Sequence, residues 1–86
     1  MVYIYYHKGK EVKSSSVVQI RKKALADLEK AGYPYHRMKI YDSRFGDDEI
    51  GVVDKLHKRW YPADNDKIES YDLRKDGTLG TAHTWW

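Results

Sequence analysis

The stretch SVVQIRKKALADLEKAGYP (16–34) decides the fold. Ser16 and Gln19 fit a capping box, in which the serine oxygen accepts the N3 amide and Gln19 reaches back to the Ser16 amide. Val17, Ile20, Ala24, Leu28 and Ala31 recur at helical spacing, and Leu25 widens the stripe. Gln19, Lys22, Lys23, Asp27 and Lys30 fall away from it. Gly32 stands where a helix commonly ends in positive φ, Tyr33 is placed to pack back on Leu28, and Pro34 blocks continuation. The pattern predicts one amphipathic helix, Val17 to Ala31, and no other stretch repeats at that period.

The flanking segments change period. Val2 to His7 is nearly all β-branched or aromatic and reads as a strand, with Lys8-Gly9-Lys10 as a turn and Glu11 to Lys13 as a short return strand. His36 to Tyr41 alternates apolar and polar. Asp42 to Glu49 is loop, rich in turn formers. Ile50 to Tyr61 alternates again, with Ile50, Val52, Leu56 and Trp60 on one face, and Pro62-Ala63-Asp64-Asn65 ends it. Lys67 to Leu73 and Thr78 to Trp85 flank the hairpin signal Lys75-Asp76-Gly77. The class expected is α+β: a mostly antiparallel sheet of four to six strands with a single helix on one face. The order is β-hairpin, helix, then three to four strands, in one domain over residues 1–86.

Composition narrows the function classes. With no cysteine there is no disulfide scaffold and no thiolate chemistry. No stretch approaches the roughly 18 apolar residues of a membrane span, and MVYIYYHKGK (1–10) lacks the basic-then-apolar order of a signal peptide. A small basic protein of the cytoplasm, without a membrane partner, is expected. The formal charge of +3 permits nucleic-acid binding and does not demand it. Eight tyrosines and three tryptophans stand against one phenylalanine, so the aromatic weight sits in side chains with polar tips, suited to half-buried sheets and wet interfaces.

A helix on one sheet face leaves the other open, and alternation predicts its residues. With Met38, Ile40, Ile50, Val52, Leu56 and Trp60 inside, Arg37, Lys39, Tyr41, Lys55, His57, Arg59 and Tyr61 point out. With Val2, Ile4 and Tyr6 inside, Tyr3, Tyr5 and His7 join them. Rings to stack bases and cations to hold phosphates are what a single-stranded nucleic-acid platform needs. The same residues are ordinary for a solvated sheet face, and tyrosine and arginine are also hot-spot residues of protein interfaces. The expectation is therefore a small non-enzymatic binding module. Its partner is nucleic acid on Tyr3, Tyr5, Arg37, Lys39, Tyr41, Lys55, His57, Arg59 and Tyr61, or alternatively a protein, as for a small adaptor or inhibitor of a phage or other mobile element. Homodimerisation by edge-strand pairing is a third route.

The remaining signals carry little chemistry. Arg21-Lys22-Lys23 lies near free helix N-terminal amides, an arrangement for a phosphate that is also an ordinary solvated helix face. His7, His36, His57 and His83 show no ligand spacing, so no metal is expected. DNDKIE (64–69) starts like a calcium loop but lacks its glycine at six and glutamate at twelve. No glycine-rich phosphate loop or nucleophile elbow is present, and no cofactor or catalytic residue is assigned. YDLRKDGTLGT (71–81) resembles the aromatic–DG hairpins of cell-wall-binding repeats, an architecture of several copies; here it occurs once. In that hairpin Leu73 should face Leu79 and Tyr71 should face Thr81, which would bury Trp85 with Tyr71, Leu73 and Leu79.

Overall fold

The computed structural model describes residues 2–32, 34–43, 48–63 and 65–85. Helix α1 covers Val17–Ala31. Ser16 caps it, its side chain accepting from the Gln19 amide at 3.3 Å. The reciprocal half of the capping box is replaced, since the Ser16 amide donates to Ser14 Oγ at 3.2 Å. Gly32 closes the helix at φ 68°, its amide bonded to the Leu28 carbonyl. Tyr33 lies outside the described residues.

Seven strands surround this helix in sequence: β1 (Tyr3–His7) and β2 (Lys10–Ser14) before it, then β3 (Arg37–Asp42), β4 (Asp48–Asp54), β5 (Arg59–Pro62), β6 (Ile68–Leu73) and β7 (Leu79–Thr84). They form one antiparallel sheet in the order β2-β1-β3-β4-β5-β6-β7. Because β2 and β3 both run antiparallel to β1, the chain must cross the sheet between them, and α1 makes the crossing.

The α+β class therefore holds, with more strands than the four to six expected. The extra strand comes from Ile50 to Tyr61, which is two strands joined at residues 55–58. Asp54 Oδ1 accepts the His57 amide at 2.9 Å, and Lys58 takes φ 55°. Turn positions of that kind usually carry glycine or asparagine, so a lysine there conceals the hairpin. The β1–β2 turn shows its signal openly. Lys8 and Gly9 have φ 50° and 78°, the pair of positive angles of a type I′ hairpin.

The core lies between α1 and the sheet: Tyr5, Ile20, Ala24, Leu28, Met38, Ile40, Val53, Trp60 and Leu73 are buried together. Three inward assignments are corrected by it. Tyr5 is fully buried on the helix side, with Tyr3 packed against the same cluster, so Ile4 and Tyr6 face the other way. The inversion follows from the tyrosine's polar tip, because the Tyr5 hydroxyl donates to the Asp27 carboxylate of α1 at 2.5 Å. Burial, that bond and the nearby negative charge push the Tyr5 pKa up. Val53, not Val52, points inward, while Ile50 reaches the core as the extra residue of a bulge: Ile40 pairs with Gly51 and Tyr41 with Glu49. Leu56 is 67% exposed in the β4–β5 turn.

Two glycines fix close approaches. The Trp60 indole lies on Gly51, where an added Cβ would fall 2.3 Å from the ring. Gly77, at φ 90°, seats the β6–β7 loop on the first turn of α1, where a Cβ would fall 2.0 Å from the Val18 carbonyl oxygen. Arg21 bridges these contacts. Its guanidinium stacks 4.6 Å from the Trp60 ring centroid and Nη1 donates to the Gly77 carbonyl at 3.2 Å, while Nε is buried without a partner. Desolvation holds the Arg21 pKa below its ordinary value.

The closing hairpin keeps the expected Leu73–Leu79 pair and then slips, so that Tyr71 faces Ala82 instead of Thr81. The bulge puts His83 on the face opposite the helix. Trp85 is 60% exposed beyond the strand, which overturns its expected burial. Trp86 is outside the described residues.

Candidate partner-binding face

The open face of the sheet is built by alternation on six strands. β1 contributes the exposed Tyr6 and, buried beneath its neighbours, Ile4, and β2 contributes Glu11 and Lys13 opposite them. β3 contributes Arg37, Lys39 and Tyr41, paired on β4 with Asp54, Val52 and Glu49. β5 adds Arg59 and Tyr61, and β6 adds Ser70 and Asp72. The rings of Tyr6 and Tyr41 meet with centroids 6.1 Å apart, and the Arg37 guanidinium lies 5.3 Å from the Tyr61 centroid.

Charge on this face is matched residue by residue. Lys13 pairs with Glu11 at 2.9 Å, Lys39 with Glu49 at 3.8 Å, and Arg59 with Glu69 at 3.4 Å. His83 Nε2 lies 2.7 Å from Asp72. Arg59 also reaches the buried Ser70 hydroxyl at 3.4 Å.

The densest cluster surrounds Asp54. Its carboxylate is fully buried, yet it accepts from Arg37 Nε at 2.9 Å and from the His57 amide at 2.9 Å, with His57 Nδ1 also at 2.9 Å. Burial alone would raise the Asp54 pKa, but the hydrogen bonds from the His57 amide and ring and from Arg37 outweigh it, and the pKa is lowered. This is first a structural device. It fixes the β4–β5 turn and orients Arg37 over Tyr61.

Of the residues expected here, Arg37, Lys39, Tyr41, Arg59 and Tyr61 share the open face. Tyr3, Tyr5 and His7 lie on the helix side, as alternation about the buried Tyr5 requires. His57 sits in the turn at the rim. Lys55 is on the helix side, where its ammonium donates to the Leu28 carbonyl at 3.3 Å, a favourable place for a cation at a helix C-terminus. Tyr6, Glu11, Lys13, Asp72 and His83 were not legible as members. The reversed phase of β1 and the bulges of the sheet moved them.

A concave surface of about 390 Å³ lies on the other side of the sheet, between α1 and the β5–β6 end. Lys22, Lys55, Lys58, Arg74 and Lys75 surround it. Among the described residues, no three histidine, aspartate or glutamate side chains gather to hold a metal ion. No described helix is long and apolar enough to cross a membrane. The chain matches no protein-family model, no curated protein and no solved structure.

Proposed function

We propose that the chain is a small non-enzymatic binding module whose open sheet face takes a protein partner. One observation carries this reading: the cations of that face are already matched by its own carboxylates, around the rings of Tyr6, Tyr41 and Tyr61. Phosphate binding depends on cations free to replace counterions, and pairs made within the surface weaken that term. Protein interfaces need no such free cations, and tyrosine and arginine are enriched at their hot spots. Edge pairing into a homodimer has less support, for two features of the edge strands. β2 presents Lys10 and Lys13, and β7 carries a bulge.

The test compares partners captured from nuclease-treated lysate by the wild-type chain and by Tyr41→Ala and Tyr61→Ala variants. A protein retained by the wild type at about 300 mM salt and lost by both variants supports the reading. A short oligonucleotide that shifts amide signals on β3 and β5 at low salt, with no such protein retained, returns the face to nucleic acid.

A further inference from the structure

The groove beside α1 differs from the open face in kind. Helix α1, 15 residues and about 22 Å long, packs most closely over β1 to β4, and the groove opens where β5 and β6 continue past its flank. Leu25, Ala26 and Leu73 form the apolar wall there. Among the described residues, Lys22, Lys55, Lys58 and Lys75 line it against one carboxylate, Glu29, while the Arg74 guanidinium turns away to the Thr78 hydroxyl and the Leu79 carbonyl. Among the described residues, Lys22, Lys58 and Lys75 make no ion pair.

The cations do not converge on one point. Lys22 lies beside the β6–β7 loop, which carries Arg74 and Lys75 and touches Lys22 through Gly77. Lys55 stands at the Leu28 carbonyl, six helix residues further on, about 9 Å along the axis. An anion with a single head group satisfies one end only. An extended peptide advances about 3.3 Å per residue, so carboxylates about three residues apart reach both ends. Among the described residues no aromatic side chain lines the groove, so they offer no stacking platform for a nucleic-acid base.

We infer that this groove docks an acidic peptide segment of a partner protein, with an apolar side chain set between carboxylates. The apolar side chain rests on Leu25, Ala26 and Leu73, and the carboxylates meet Lys22 and Lys75 at one end and Lys55 at the other. Lys58 stands in the left-handed region at φ 55°, a conformation costly for any side chain, and adds its charge to this rim. The inference is independent of the open-face reading, because it concerns the other side of the sheet.

The test titrates the full chain with the synthetic peptide EDLLDE, following amide shifts by NMR at about 50 mM salt. Shifts are expected at Lys22, Leu25, Ala26, Leu73 and Lys75, with affinity falling at least tenfold by about 300 mM salt. A Lys22→Glu, Lys75→Glu variant should bind at least tenfold more weakly. Lys58→Gly relaxes the positive φ, so it should keep or raise the melting temperature while weakening binding about threefold, which separates charge from folding. Tyr61→Ala should leave the peptide affinity unchanged. Any of three results overturns the inference: no groove shifts at 1 mM peptide, equal binding of the basic control KKLLKK, or tighter groove binding of octyl phosphate or oligothymidine than of EDLLDE.

Discussion

The two faces of one sheet handle charge in opposite ways. On the open face, Arg37, Lys39 and Arg59 each find a carboxylate within 4 Å, and the tyrosines stand among neutralised pairs. On the helix side, the apolar core takes the sheet surface, and the lysines pushed to its margin at 22, 58 and 75 have no carboxylate partner among the described residues. Strands place cations and anions opposite one another across a ladder, so pairing comes with the register. A helix lying over a sheet and two turns entering from its ends bring charges together with no such rule. Basic composition therefore says little about where a surface is basic.

The comparison implies that stability resides mainly on the helix side, and substitutions rank accordingly. Trp60→Ala should be the most damaging, at about 4 kcal/mol, because it empties the place between Gly51 and Arg21. Urea unfolding measures it, and a loss below about 1 kcal/mol would show that Trp60 is not central to the core. Gly77→Ala should follow at about 3 kcal/mol, combining positive φ with overpacking against the Val18 carbonyl. Its loss should appear as a lower denaturation midpoint with the open-face amide shifts largely preserved.

Asp54→Asn tests the open face, with an expected cost of about 2 kcal/mol at pH 7. The Asp54 pKa is lower folded than unfolded, so its contribution is present above about pH 4 and is lost as pH falls through the folded value. Melting temperature measured from pH 7 down to pH 2 should therefore fall less steeply in the variant. An unchanged acid limb would mean that the pairing with Arg37 and His57 contributes nothing. Tyr5→Phe should cost about 1 kcal/mol, by removing the hydroxyl that reaches Asp27. Lys39→Ala and Trp85→Ala should each change stability by no more than about 0.5 kcal/mol, one being a surface pair and the other an exposed ring. A large effect of either would erase the asymmetry between the faces.

What could be read along the chain was whatever rested on local chemistry. The bounds of α1 followed from Ser16, the apolar period and Gly32, and the hairpins at Gly9 and Gly77 followed from residues that tolerate positive φ. The β4–β5 hairpin did not show, because Lys58 holds a position usually marked by glycine. The candidate face was legible on β3 and β5, where aliphatic or tryptophan residues fix the inward side. It was misread on β1, where Tyr5 takes the helix side and bonds Asp27, a partner 22 residues away, while Ile4 is buried on the opposite face.

The sequence by itself determined the α+β class, the single helix and its apolar stripe, and an aromatic, basic surplus that had to emerge somewhere on the surface. Only the tertiary structure decided which cations meet carboxylates and which are left over. It also decided, through the bulges at Ile50 and in β7, which side each strand shows. The reason is physical. Helix period and turn geometry are set within a few residues, whereas strand phase and charge pairing depend on neighbours that only the folded sheet supplies.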